Sequence, residues 1–316
     1  MACSGQCKPS SPESDDMTNQ AREYVPCNLC GGDRTKLWAR AGEAQLVQCL
    51  GCGLVYTNPR LPADTLRSSY EGEYTAEHQD AELARQRRAM YLLEREAILR
   101  RAEGGRLLDV GCGPGDFLAL LADRFEVYGV DVSHVYVQHA REKLGLENVH
   151  LGELTEAAFP DAFFDVAQMR GVIQHLPDPL GQVREAFRVT KPGGLLIVSA
   201  TPNIESWCAR IFRERHRLIA PDHMVYDFSP RTLRRLLEKA GYIVQQFAYP
   251  YLLTPYFRWR QAFEFIRLSA LIGLERIIPP LRFNLRSPPF WGNMMTCYAR
   301  KPRAGTGGKP SARDRT

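Results

Sequence analysis

Two sets of residues in this 316-residue chain have the types and spacing of working groups. Cys27 and Cys30 in "CNLCGG", with Cys49 and Cys52 in "CLGCG", give the pattern C-x2-C-x18-C-x2-C. Two such pairs supply four thiolates to a tetrahedron, the donor set of a structural zinc ion (Zn2+), and four protein ligands leave no open position for catalysis. Gly31, Gly32 and Gly53 suit the tight turns around each pair. Cys3 and Cys7 fall in a polar terminal stretch, and Cys112, Cys208 and Cys297 stand alone, so none joins the metal set.

The second set is "LLDVGCGPGD", a strand that runs into glycines at the start of a helix. Gly111, Gly113 and Gly115 let the backbone turn sharply and approach a ligand where a side chain would clash. Asp131 ends the next strand, twenty residues after Gly111, where a carboxylate can bind a ribose diol. A dinucleotide fingerprint wants G-x-G-x-x-G facing a diphosphate. Here the run is G-x-G-x-G, and Asp116 takes the place of the third glycine. With Asp109 before the loop, the acids favour a ligand with a cationic part, such as S-adenosylmethionine. His175 in "VIQHLPDP" and His223 in "PDHMVYDFSP" are the candidates for proton transfer. Tyr70 and Tyr74, four residues apart, are placed to close over a ligand, or to pack. Arg210, Arg213 and Arg217 recur at i, i+3 and i+7, a basic helical face that is solvated by default and would suit an anionic acceptor.

These groups need a scaffold, and the pattern supplies one. The runs "RLLDV", "EVYGVDV", "FFDVAQM" and "GGLLIVSA" read as buried strands, with "YIVQQFAY" and "MMTCYARKP" as later ones. Between them "GDFLALLADR", "VQHAREKLG", "PLGQVREAFRV" and "SPRTLRRLLEKAG" read as helices, the last capped by Ser229, opened by Pro230 and closed by Gly241. Such alternation implies an α/β fold with a mainly parallel sheet covered on both faces. The expected organisation is a disordered tail over 1–22, a zinc ribbon over 23–60, a helical linker or lid over 61–104 and an α/β domain over 105–300. An insertion over 251–290 precedes the last strand, and a disordered tail follows over 301–316. Within the insertion, Trp259, Phe263, Ile266, Ala270 and Ile277 fall on one helical stripe, expected to form a lid or pocket wall.

The net charge of +5 is an unsafe guide to nucleic acid. The 301–316 tail carries +4 and the first 22 residues −1, so the body keeps about +2, too little for a phosphate-binding face. No apolar run approaches membrane-spanning length, although peripheral membrane contact stays open. The nine cysteines, with no secretory segment ahead of them, indicate a reducing compartment and cytoplasmic placement.

Over residues 60–300 the chain resembles class I S-adenosylmethionine-dependent methyltransferases. The likeness rests on "LLDVGCGPGDF", "YGVDVS", "LGELTEAAFPDAFFDVA", "RGVIQHLPDPLGQVREAFRVTKPGGLLIVSATPN" and "DFSPRTLRRLLEKAGY", in that order. The resemblance implies a Rossmann-like, doubly wound, seven-stranded sheet whose last strand is antiparallel. It implies that the backbone from Asp109 through Gly111, Cys112 and Gly113 to Gly115 holds the methionine part. Asp131 and Val132 would take the ribose, Glu153 and Leu154 the adenine, and Met169 and Arg170 would lie near the transferable methyl. In the family the linker carrying Tyr70 and Tyr74 commonly folds over the cofactor. The counterpart of His175 serves as base or merely packs its loop, and the His223 segment faces the acceptor. Gln174 stands where the family often has Glu. A ribbon ahead of such a domain resembles bacterial-type enzymes that modify sugars, glycolipids and secondary metabolites. The expected activity is therefore methyl transfer, with O-methylation favoured, to a sugar, a glycan- or lipid-linked intermediate or a secondary metabolite. The alternatives are an RNA methyltransferase and a non-catalytic binding protein on the same fold.

Overall fold

The computed structural model describes residues 21–41, 44–70, 81–219, 221, 223–250, 254–255, 257, 259–278, 280, 283, 285–288 and 293–303. Residues 1–20 and 304–316 of the expected tails, and Tyr74, lie outside these residues.

In chain order the strands are β1 (Thr35–Ala41), β2 (Ala44–Cys49), β3 (Val55–Thr57), β4 (Arg106–Val110), β5 (Glu126–Asp131), β6 (Val149–Leu151), β7 (Phe164–Arg170), β8 (Thr190–Pro202), β9 (Tyr226–Asp227), β10 (Ile243–Ala248) and β11 (Met294–Arg300). The helices are α1 (Ala63–Ser68), α2 (Ala81–Leu99), α3 (Asp116–Ala119), α4 (His134–Leu144), α5 (Pro179–Val189), α6 (Trp207–Phe212), α7 (Pro230–Lys239) and α8 (Trp259–Ile277).

Seven strands form one sheet in the order β10-β11-β8-β7-β4-β5-β6. The pairs among β6, β5, β4, β7 and β8 are parallel, and β11 runs antiparallel to both β8 and β10. This is the doubly wound sheet with an antiparallel last strand that the sequence implies. Central strands are apolar on both faces because helices cover both: Leu107, Leu108, Val166, Ala167, Leu195, Leu196 and Val198 are all buried. The helix ends follow local chemistry. Ser133 Oγ accepts from the Tyr136 N–H, Asp178 from the Gly181 N–H, and Ser229 with Thr232 makes a capping box ahead of α7.

The cysteine-bearing segment builds a second sheet, β1-β2-β3-β9. Its last member comes from far along the chain, with Val55 opposite Asp227 and Tyr56 opposite Tyr226. The segment has no core of its own: Cys27, Leu29, Leu54 and Tyr56 belong to one buried cluster with Tyr226, Leu233, Leu236 and Leu237.

Two readings of helical faces need correction. Helix α6 ends at Phe212 and Arg213 takes φ +48°, so Arg210, Arg213 and Arg217 do not share one helical face. The stripe on α8 is not a pocket wall. Leu268 and Ile272 of the opposite face pack on Cys208 and Phe212, which leaves Trp259 73%, Phe263 70% and Ile277 77% exposed. Periodicity finds an apolar stripe but cannot choose the inner one when a helix carries two.

Candidate functional site

At the carboxyl ends of β4, β5 and β7 lies a cavity of about 270 Å³. Gly111 and Gly113 line it from the loop after β4, with Asp131 and Val132 at the end of β5, Glu153 and Leu154 after β6, and Arg170 at the end of β7. His175 and Gln182 close one side, and Leu66 and Arg67 of α1 approach with Tyr70 from the turn after it. The structure thus brings most of the sequence-chosen residues to one place.

The glycines divide the work. A Cβ on Gly113 (φ +55°) would meet nothing within 4 Å, so its backbone borders open space. A Cβ on Gly111 would strike Val172 Cγ2 at 2.5 Å, and one on Gly115 would strike Leu146 Cδ1 at 2.8 Å and Ala140 Cβ at 3.0 Å. Gly115 therefore serves the packing of α4 and does not line the cavity. Met169 is fully buried, and Cys112 turns its sulfur toward β5, where a Cβ on Gly129 would meet it. Neither reaches the cavity wall.

Asp131 Oδ2 accepts from the Gly113 N–H at 2.7 Å and Oδ1 from the Ser133 N–H at 2.9 Å, so the carboxylate also pins the glycine loop. Burial raises its pKa against those hydrogen bonds. Asp109 lies beneath the loop, 2% exposed, with Oδ1 buried and unpartnered. Burial pushes its carboxyl well up, and the Arg170 charge pulls the other way. Arg170 is held by Glu94 of α2 at 2.6 Å and lies over the Tyr91 ring at 4.5 Å. Sequence reading missed Tyr91 and Glu94, because nothing local marks a linker helix as a partner of β7. Glu153 Oε2 accepts from Gln182 Nε2 at 2.6 Å, and the Glu153 N–H donates to Glu156, whose carboxylate forms a two-pronged pair with Arg67 at 2.9 and 3.0 Å.

His175 Nδ1 stands 2.8 Å from the Tyr70 hydroxyl and 2.8 Å from the His223 carbonyl, to which Tyr70 also donates at 2.9 Å. Burial lowers the His175 pKa to about 4. His223 thus meets His175 through its backbone, and its own ring does not line the cavity. Asp109, with its buried Oδ1 unpartnered, the open Gly113 backbone and the Asp131 carboxylate fit the ammonium, sulfonium and ribose of S-adenosylmethionine.

The four sulfurs of Cys27, Cys30, Cys49 and Cys52 lie within 4.8 Å of one another, and the closest pairs, Cys27–Cys52 and Cys30–Cys49, are 3.4 Å apart. All four are free thiols, and about 2.3 Å from each sulfur to a central ion would require spacings of this order. Gly31 (φ +77°) and Gly53 (φ +86°) make the turns. This donor set can hold a tetrahedral metal ion. Among the described residues no helix is long and apolar enough to cross a membrane.

Comparison with known proteins agrees with this geometry. The family model of a methyltransferase domain matches residues 77–246. An S-adenosylmethionine-dependent methyltransferase of Mycolicibacterium smegmatis is 34% identical over 151 residues, covering 48% of this chain and 56% of that protein. A demethylmenaquinone methyltransferase of Listeria welshimeri is 34% identical over 135 residues, 39% of this chain and 57% of that one. The chain thus spans little more than half the length of these relatives. Among solved structures, a SAM-dependent methyltransferase from Thermotoga maritima covers 75% of this chain and 98% of its own, with TM-score 0.50 and 22% identity. A chain of the complex between the Haloferax volcanii Trm112 methyltransferase activator and a methyltransferase covers 73% and 98%, with TM-score 0.52 and 21% identity; both show the fold. With the family model matching more than half of its residues, and the sheet and cavity as described, the chain belongs to the class I S-adenosylmethionine-dependent methyltransferases.

Proposed function

We propose that the chain transfers a methyl group from S-adenosylmethionine to a hydroxyl of a small organic acceptor. One observation carries the reading: the Gly111–Gly113 backbone, Asp131, Glu153 and Arg170 converge on a single cavity whose other walls include Val110, Val130, Leu154 and Leu176. Bound S-adenosylmethionine supplies an electrophilic methyl on a sulfonium that already carries its leaving group. The protein's task is then to bind, align and exclude water, since positioning supplies much of the rate. In this reading Asp131 takes the ribose hydroxyls and Glu153 borders the adenine. Asp109 balances the cationic end from below, and Arg170 flanks the methyl.

His175 is the proposed proton acceptor. Donation from Nδ1 to the His223 carbonyl fixes the tautomer that leaves the Nε2 lone pair free. A ring with a pKa of about 4 is neutral at pH 7 and holds a proton weakly, so it suits an acceptor hydroxyl that is already acidic, as in a phenol or enol. Such groups occur among secondary metabolites, which we place beside sugars and lipid-linked intermediates as the acceptor class. The demethylmenaquinone methyltransferases among the relatives also favour a small molecule over RNA. For the cysteine cluster we infer one structural zinc ion, consistent with a reducing, cytoplasmic setting.

Calorimetric titration with S-adenosylmethionine tests the core of the proposal, and absence of binding by metal-replete protein would sink it. Radiolabelled methyl should then appear in a small-molecule extract and not in total RNA. His175→Asn should lower turnover with little change in cofactor affinity; unchanged turnover returns His175 to loop packing.

A further inference from the structure

The outward face of α8 is unusual for a surface helix. At about 100° per residue, Trp259, Phe263, Ile266, Ala270, Leu274 and Ile277 form one continuous stripe. The stripe lies opposite the buried Leu268 and Ile272, and all six of its residues are exposed. The charges around it are sorted. Exposed Arg260 and Arg267 border one margin of the stripe. Glu264 and Glu275 stand beyond that margin, toward the buried side, and Glu275 is engaged by Arg215 at 2.7 Å. The sequence around the helix continues the theme: residues 251–293 carry six arginines and no lysine against two glutamates, with nine aromatic residues.

We propose that this face of α8 docks the protein on an anionic lipid surface, the stripe entering the headgroup boundary and Arg260 and Arg267 meeting lipid phosphates. A helix that lies in an interface needs an apolar face with cations at its edges, and Trp is favoured at that depth. Both are present, Glu275 is engaged by Arg215, and exposed Glu264 lies farther from the stripe than either arginine. A second copy of the chain fits the charge pattern less well, because antiparallel pairing through the stripe sets the arginine margin against itself. The inference stands independently of the cavity and of the methyl-transfer reading.

The test uses full-length, zinc-replete protein and sedimentation with two kinds of vesicle, phosphatidylcholine alone and phosphatidylcholine with an equal part of phosphatidylglycerol. Binding is expected to the anionic vesicles and should weaken as salt rises from about 0.1 to about 0.5 M. Phe263→Ser with Ile266→Ser should reduce it at least about tenfold, and Arg260→Glu with Arg267→Glu should abolish the preference for phosphatidylglycerol. Unchanged thermal midpoints and S-adenosylmethionine affinity certify that these variants fold. Should they fail to fold, quenching of wild-type tryptophan emission by brominated lipid, lost in Trp259→Phe, reads the same contact. No binding to either vesicle overturns the proposal, as does equal binding by Phe263→Ser/Ile266→Ser. A dimer that this double variant dissolves, without vesicle binding, would assign the face to a second copy.

Discussion

At the scale of single residues, Gly113 and Gly115 separate two duties that the motif merges. Both have positive φ, where an L side chain costs about 1–2 kcal/mol. Only at Gly115 does the added methyl also collide with packed atoms, Leu146 and Ala140, and overpacking of that kind costs about 1–3 kcal/mol more. Gly113→Ala should therefore cost only the backbone strain of about 1–2 kcal/mol, yet weaken S-adenosylmethionine binding at least about tenfold, about 1.4 kcal/mol, because its methyl enters the ligand space. Gly115→Ala should do the reverse, losing stability in denaturant while its folded fraction keeps near-normal affinity. A second residue prediction concerns His216, 5% exposed, with Nδ1 3.0 Å from Ser287 Oγ and a pKa lowered by burial to about 4. Between pH 6.5 and pH 4 the unfolded chain binds a proton at this position that the folded chain refuses, so acidification destabilises the fold. Asp227, which burial raises to about 7, acts in the opposite direction: its folded form holds a proton that the unfolded form releases above pH 4. The two partly cancel in the wild type. His216→Gln should remove the histidine part, so its stability at pH 5 relative to pH 7 should be about 2 kcal/mol more favourable than that of the wild type. An unchanged pH profile in denaturant titrations would mean that His216 titrates normally.

At the scale of elements, α1 shows how a short helix can matter to a site. Leu66 is buried in the main core, Arg67 grips Glu156, and Tyr70 reaches His175 and the His223 carbonyl. The Arg67–Glu156 pair is largely exposed, and such pairs contribute about 0–1 kcal/mol to stability. Its consequence is local, since Glu156 also receives the Glu153 N–H and so fixes the turn where adenine is expected. Arg67→Ala should leave the thermal midpoint nearly unchanged while weakening S-adenosylmethionine binding a few-fold, about 1 kcal/mol or less, and the difference should fade at high salt. Equal affinity at low salt would show that the turn holds itself. The same scale shows what sequence can and cannot reveal. Strand β4, its glycines and Asp131 were legible because each signal is local: a buried apolar run, positive-φ turns and a strand-end acid. So was the cap of α7 at Ser229 and Pro230. Strand β6 escaped because three residues make no pattern, and β9 because its partner β3 lies about 170 residues away. Helix α3 proved much shorter than "GDFLALLADR" suggests, as turns follow Ala119.

At the scale of the whole molecule, the decisive question is how the four-cysteine segment relates to the candidate site. From sequence, residues 23–60 read as a unit held by its ion, because they contain too few apolar residues for a core. The structure supplies the missing half from elsewhere in the chain. Strand β9 closes the segment's sheet, and Tyr56 stacks on Tyr226. Arg60, 9% exposed, donates to the Pro177 carbonyl at 2.7 Å and to Tyr226 Oη at 3.3 Å. Asn28 donates to Asp178 and receives the Leu180 N–H, while Arg235 and Lys239 of α7 donate to the Cys52 and Leu29 carbonyls. Several of these anchors lie next to the site: Pro177 lines the cavity, and the Gln174 carbonyl beside His175 accepts from the Val225 and Tyr226 N–H groups. Loss of the ion should leave four thiols clustered in or beside this shared core, two of which burial holds protonated, with Cys52 at about 11 and Cys27 higher still. Chelation, or Cys27→Ser, should therefore lower the thermal midpoint of the entire protein in one cooperative step, because metal binding energy is folding energy for the segment that β9 completes. It should also weaken S-adenosylmethionine binding, because the loop bearing His175 and the strand after His223 lose their common support. A chelated protein that melts in two steps, with its main midpoint and its affinity intact, would instead make the ribbon an independent appendage.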